Sequence, residues 1–341
     1  VLIVDDINTN LKVAEGLLSP YSMQLTCCKS GVEAIELVKL NYYDLVLMDH
    51  MMPGMDGIEA TSNIRMLDGE KPYYTSLPII ALTANAVVGT REMFLKNGFN
   101  DFLSKPIDTA ELNAVLEKWI PQEKQQKLTR ERAKTAALKA QDDSAPMQIA
   151  GLDVNAGIAM TGGTRKHYVQ ALAVFHQDGF EKMEEIRTCL ETEDLPLYVT
   201  YVHAIKSAAA SIGAGDLSNV AQRLEAAGRQ ADLAFIKIHT PSFLLALETL
   251  SHTIREALSA DRGEERQDAG NPEILTSELV KLKTALDAFD SAAIDEAVNS
   301  LQDFTQAADI GNAVELILHN TLIGEYGEAI VLINALLPDV E

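Results

Sequence analysis

A chain of 341 residues with 47% hydrophobic side chains is long enough for two to three domains with ordinary cores. Its net charge of −22 argues against nucleic acid as a partner, and three cysteines without disulfide or zinc spacing fit a reducing, cytoplasmic compartment. No apolar run approaches the eighteen or so residues of a membrane span, so no membrane contact is expected, and no glycine-rich loop for ATP is present.

The chain opens directly in an apolar run, Val1-Leu2-Ile3-Val4, without an initiator Met or lead-in, as expected of a piece cut from a longer protein. That run ends in Asp5 and Asp6. Apolar segments follow at Met23 to Cys28, Leu45 to Met48, Leu77 to Leu82 and Asn100 to Leu103. They alternate with helical spacing near Asn10 to Leu18, Val32 to Leu40, Ile58 to Met66, Arg91 to Lys96 and Ala110 to Trp119. This alternation predicts a doubly wound α/β domain with a five-stranded parallel sheet over residues 1–121. Ligands in such sheets sit at the carboxyl ends of the strands, where the chain places Asp5, Asp6, Asp49, Thr83 and Lys105. Alone, Asp49 beside Pro53 and Gly54 would read as a solvated turn residue; in this company it reads as a nucleophile. Clustered carboxylates call for a hard cation such as Mg²⁺, Lys105 can neutralise phosphoryl oxygens, and Thr83 can donate a hydrogen bond to one.

Asp5-Asp6, the strand ending in Asp49 with Met52-Pro53-Gly54-Met55-Asp56-Gly57, Ala81-Leu82-Thr83-Ala84 and Ser104-Lys105-Pro106 together resemble a response-regulator receiver domain of flavodoxin-like fold. The resemblance implies that Asp49 is the phosphoacceptor. Asp6, Asp49 and the Met51 main-chain carbonyl would bind Mg²⁺, Asp5 would help through water, and the Lys105–Pro106 peptide would be cis. The switch aromatic falls on Phe102, which has no hydroxyl and fits an ordinary core Phe equally well. Asn10 matches receivers attached to sensor kinases, or caps a helix. A haloacid-dehalogenase-like phosphatase would need a second acid where Met51 stands, and a dinucleotide fold would need glycines where Asp5-Asp6-Ile7-Asn8 stands. His50 is expected to point to the opposite side of its strand from Asp49.

Residues 122–149, with six basic and four acidic side chains, read as a charged helical linker. Beyond it, long amphipathic patterns over Arg165 to Glu191, Leu195 to Ile212, Asp216 to Gln230 and Leu233 to Leu258 predict an all-α four-helix bundle at 150–260. In the second helix Val202, Ile205, Ala209 and Ile212 form the buried stripe. His203, Lys206, Ser207 and Ala210 then point outward, placing the His203 ring in solvent. The run His203-Ala204-Ile205-Lys206-Ser207-Ala208, with Ile212-Gly213-Ala214, Leu224-Glu225, Gly151-Leu152-Asp153-Val154 and Thr161-Gly162-Gly163, resembles a histidine-containing phosphotransfer domain, Ser207 standing where that family usually has Gly. The resemblance implies that His203 is phosphorylated and that Lys206 is its electrostatic partner. His167, His176, His239 and His252 lack that surround and read as structural or solvated.

A linker is expected at 261–273, then an acidic helical region at 274–341 in which His319 reads as packed. Residues 263–341 hold sixteen acidic and three basic side chains. The two resemblances together imply the carboxyl-terminal relay section of a bacterial hybrid sensor histidine kinase. Phosphate would pass from an upstream histidine kinase domain of the same parent chain to Asp49, to His203, and to a downstream response regulator receiver, or back. A cytoplasmic location is expected for this stretch, within a parent open to membrane anchoring. Two rival readings remain: a stand-alone shuttle, and a phosphorylation-switched module whose acidic tail binds a partner or forms a homo-oligomer.

Overall fold

Strands that are apolar on both faces are stable only when helices cover both sides of their sheet. The computed structural model describes residues 1–67, 72–84, 90–121, 123–124, 147–269, 272–288, scattered positions from 294 to 304, 311–322 and 326–337. Its strands are β1 (Leu2–Val4), β2 (Thr26–Cys28), β3 (Val46–Asp49), β4 (Ile79–Thr83) and β5 (Asp101–Ser104). They form one parallel sheet in the order β2-β1-β3-β4-β5. All of β1, β3 and β4 is buried. Pairing sets Val4 beside Met48, Asp49 beside Leu82 and Thr83 beside Ser104, so the carboxyl ends of four strands share one rim. The order reverses between β1 and β3, and there the acids lie.

The intervening helices are α1 (Asn8–Leu18), α2 (Gly31–Leu40), α3 (Gly57–Arg65), the single turn α4 (Tyr73–Ser76), α5 (Thr90–Lys96) and α6 (Thr109–Trp119). Side chains cap α2, α3 and α6: Ser30, Asp56 and Asp108 accept from the free amides of the first turn. At α1 the N-cap position is Ile7, which offers no such bond.

A short helix, α7 (Val154–Met160), leads into α8 (Arg165–Thr192), α9 (Leu195–Ser211), α10 (Gly215–Arg229) and α11 (Leu233–Ala269). Asp153, Thr164 and Asp194 cap α7, α8 and α9. Val202, Ile205, Ala209 and Ile212 are fully buried, as their spacing predicts, beside Phe175, Leu224 and Leu247. This is the expected all-α bundle.

Three expectations are corrected or left. The linker foreseen at 261–273 is helical as far as Ala269, because α11 runs on past Leu258. One helix, Leu233–Ala260, is long and apolar enough to cross a membrane by length and composition, contrary to the expectation that no run comes near; a third of its most apolar window is buried, through residues such as Ile236, Phe243 and Leu247. Most of the linker foreseen at 122–149 and the His319 side chain lie outside the described residues.

Two compact units result, Val1–Leu258 and Ser259–Glu341. In the second, α12 (Pro272–Ala288), α13 (Gly311–Leu322) and α14 (Tyr326–Leu336) close around Leu279, Leu282, Val314, Ile317 and Ile333.

Candidate functional site

Asp49 ends β3 and is 2% exposed, and Asp5 follows β1 fully buried. Carboxylate oxygens of Asp5, Asp6 and Asp49 lie within 4.8 Å of one another. Lys105 is the counter-ion, its Nζ 2.5 Å from Asp5 Oδ2 and 3.0 Å from Asp49 Oδ1. It is held there by the turn after β5, where the Lys105 amide donates to the Thr83 carbonyl and the Lys105–Pro106 peptide is cis. Thr83 is buried at the end of β4. Asn10 is no cap: its Nδ2 donates to Asp5 Oδ1. Gly57 lets α3 start against the end of β3, for a Cβ there would stand 2.0 Å from the Asp49 carbonyl oxygen. Phe102 is half-buried on β5 beside Ala81, packed against the sheet's core.

Burial pushes Asp5 up to about 6 and Asp6 up to about 7, with repulsion from neighbouring acids adding to it. Both Asp6 oxygens are buried without a hydrogen-bond partner. Asp49 is different: burial also raises it, but Lys105 first and then His50 outweigh that and hold its carboxyl below the usual range. Such a trio, with an orphaned buried carboxylate, is a donor set suited to a hard cation.

Opposite this rim lies α9. His203 is not in solvent, as the outward stripe predicted, but 1% exposed. Helical periodicity distinguishes the bundle's core from its outside, and here the outside is covered by the α/β domain. The His203 ring meets the His50 ring edge to face, centroids 5.4 Å apart. His50 in turn does not point away from Asp49: its Nδ1 is 3.7 Å from Asp49 Oδ1 and donates to the Leu82 carbonyl at 3.0 Å. β3 ends at Asp49, so strand alternation no longer governs the next residue.

Glu225 on α10 fixes the His203 ring. Its Oε1 accepts from Nδ1 at 2.9 Å and its Oε2 from Lys206 Nζ at 2.6 Å, while Arg229 Nη2 donates to Oε1 at 2.8 Å. Burial lowers the His203 pKa more than Glu225 raises it, so the ring is neutral near pH 7. Because a carboxylate only accepts, Nδ1 carries the proton. The lone pair is therefore on Nε2, which is buried without a hydrogen-bond partner. Lys206, foreseen as the partner of His203, is 3.5 Å from Nδ1 and binds chiefly through Glu225.

Sequence reasoning gave no role to Glu225, Asp178 or Lys182. Asp178 accepts three bonds from the start of α1, and Lys182 Nζ lies 3.7 Å from Asp6 Oδ2. The available signal was positional: Phe175, Asp178, Lys182 and Ile186 follow one helical stripe, so two charged residues stand at core spacing. His176 and His252 pack around Phe180, and His239 against Phe235, as expected of structural histidines.

Residues 1–117 match the response regulator receiver domain and residues 170–260 the Hpt domain. Among curated relatives, the sensor protein GacS of Pseudomonas syringae pv. syringae is 30% identical over 227 residues, 66% of this chain and 24% of its own length. The signal transduction histidine-protein kinase BarA of Escherichia coli K12 is 40% identical over 121 residues, 36% of this chain and 13% of its own. The chain thus spans a quarter or less of these relatives. A solved structure, the receiver domain of the sensor histidine kinase PA1611 from Pseudomonas aeruginosa with magnesium coordinated in its active site cleft, is 39% identical; the match covers 35% of this chain and 93% of that one, with a TM-score of 0.31. The chain therefore carries two known domain types in sequence, a response regulator receiver domain at residues 1–117 and an Hpt domain at 170–260.

Proposed function

We propose that Asp49 accepts a phosphoryl group from a histidine kinase domain and yields it to His203, which supplies the receiver of a separate response regulator. The observation that carries this reading is the His203 ring, with Nδ1 fixed by Glu225 and Nε2 unpartnered, packed beside His50 at the buried Asp49 rim. In the transfer the Nε2 lone pair attacks phosphorus, the bond from phosphorus to the Asp49 oxygen breaks, and the carboxylate leaves with the electron pair. The proton stays on Nδ1, and the Glu225 carboxylate balances the positive charge that develops on the His203 ring. Lys105, 3.0 Å from Asp49 Oδ1, would neutralise the phosphoryl oxygens while Asp49 carries the group and the carboxylate once it has left, and Thr83 would donate to a phosphoryl oxygen. Asp5, Asp6, Asp49 and the Met51 carbonyl would hold Mg²⁺, which supplies charge neutralisation for the phosphoryl group. Phe102 can take part in a switch only through packing. Within a hybrid sensor histidine kinase the kinase domain would belong to the same parent chain, and the parent's cellular location follows from parts other than these.

The test supplies acetyl phosphate and Mg²⁺ to the whole chain and to its Asp49→Asn and His203→Ala forms, and reads intact mass with acid and base lability of the label. Acid-labile, base-stable phosphate on His203 in wild type, absent from Asp49→Asn, is the expected result. Label confined to Asp49 at long times would overturn the relay and leave phosphorylation as a switch.

A further inference from the structure

Asp178 lies in the middle of α8, is 2% exposed, and has every hydrogen bond on another domain. Its Oδ1 accepts from Asn8 Nδ2 at 2.7 Å and its Oδ2 from both the Thr9 amide and the Thr9 hydroxyl at 2.7 Å. These groups form the first turn of α1, the helix whose own N-cap, Ile7, gives no side-chain bond. Free amides and the helix dipole at that turn favour an anion, and the Hpt domain delivers one.

Ten ångströms further along α1 a second feature repeats the pattern. Gly16 and Gly162 cross with their backbones touching: a Cβ on Gly16 would stand 2.3 Å from the Thr161 carbonyl oxygen, and one on Gly162 (φ +101°) 2.3 Å from the Gly16 oxygen. A glycine inside a helix weakens that helix, so within the receiver alone Gly16 is a defect. Only the docked pair gives it a use. Neither Asp178 nor Gly16 touches Asp49 or His203.

We infer that Asp178 and the Gly16–Gly162 crossing form a docking lock by which the Hpt domain selects the receiver of its own chain, so that Asp49-to-His203 transfer is intramolecular. The transfer half of this inference rests on the relay proposed above; the docking half does not. In the closed pair the His203 face is occupied by the chain's own receiver, so a receiver from another molecule meets an occluded ring until the lock opens.

Two readouts on the full chain test it, with Asp178→Ala and Gly16→Ala as separate variants. Gly16→Ala strengthens α1 as a helix while its Cβ would meet the Thr161 carbonyl oxygen at 2.3 Å, so a loss of protection reports the crossing and not the helix. First, hydrogen exchange without phosphate: each variant is expected to exchange the amides of α1 and the middle of α8 about tenfold faster, the size expected for losing one charge-assisted contact. The strands β3 and β4 should stay unchanged. Second, phosphoryl transfer between molecules, with His203→Ala chains as donors and Asp49→Asn chains as acceptors: Gly16→Ala in the acceptor alone frees its His203 face while the donor's receiver keeps its own lock residues, and is expected to speed this transfer about tenfold, whereas the same substitution slows transfer inside an otherwise wild-type chain. Damage to folding would slow both. Unchanged exchange in both variants, or intermolecular transfer as fast with the lock intact as without it, would overturn the lock. Faster exchange in the variants with His203 unlabelled in every mixture would uphold the lock and overturn the relay.

Discussion

Glu225 determines which nitrogen of His203 carries the proton, and it does so by holding a charge in a nearly closed site. Burial by itself would raise its carboxyl, but the bonds from His203 and Lys206 outweigh that and keep it well below its ordinary value. A carboxylate with a depressed pKa contributes stability in full above its unfolded value of about 4.5, and that contribution is lost as pH falls through the lower folded value. Glu225→Gln keeps the shape and removes the charge. It is expected to cost about 1.5–3 kcal/mol at pH 7, the range for hydrogen bonds to charged groups, with the gap from wild type narrowing below pH 4.5. Urea denaturation of both proteins at several pH values checks this, and a gap that ignores pH would mean that the carboxylate is not the stabilising species. The residue scale is also where the sequence was least legible. Asp5, Asp6, Asp49, Thr83 and Lys105 could be read because each terminates a strand at one rim. His203 could be identified but not its burial, since spacing along α9 reports only that helix's own bundle. Glu225 offered no spacing relation to His203 at all; it is brought there by the turn between α9 and α10.

Elements were legible where periodicity and end signals agree. α8, α9 and α10 begin and end within a residue or so of their apolar patterns, because Thr164 and Asp194 cap two of them and Gly213 allows the turn before the third. What joins the elements was not legible, as at the end of α3. There Arg65 donates through Nε to the Gly98 carbonyl at 2.9 Å, through Nη1 to the Tyr74 carbonyl at 2.6 Å, and through Nη2 to Asn100 Oδ1 at 2.8 Å. Asn100 Oδ1 also accepts from the Ile79 amide at 2.8 Å, so one guanidinium ties α3 to α4, to the turn after α5 and to the start of β4. Burial lowers the Arg65 pKa to about 10, still protonated at neutral pH. Lysine keeps the charge but not the fork, and can meet one of these acceptors in place of three. Arg65→Lys is therefore expected to destabilise the receiver by about 2–3 kcal/mol. A loss under about 0.5 kcal/mol in equilibrium denaturation would show that the three acceptors find water or other donors instead.

At the scale of the molecule, the unit Val1–Leu258 has one core that crosses from receiver to bundle: Ile3, Leu11 and Leu17 belong to the same cluster as Tyr168, Phe175 and Val202. Such continuity brings Asp49 and His203 together, and it also seals the acid cluster away from water. Sealing has a cost. The raised values of Asp5 and Asp6 mean that both carboxylates are harder to ionise folded than unfolded, so at neutral pH their charge subtracts from stability. Lys182 reaches across from α8 to within 3.7 Å of Asp6, which relieves only part of the repulsion. Two opposite effects of Asp6→Asn follow. In EDTA the substitution removes a buried charge that has no hydrogen-bond partner and is expected to stabilise the protein by about 1–3 kcal/mol, as replacing unfavourable buried charges does elsewhere. With Mg²⁺ at about a hundred times its dissociation constant, wild type gains about 2.7 kcal/mol by mass action and the variant far less. The order of stabilities then reverses between the two solutions. Thermal or urea denaturation of both proteins with EDTA and with Mg²⁺ decides the matter: an unchanged order, with Mg²⁺ shifting neither protein, would remove Asp6 from the proposed metal ligands.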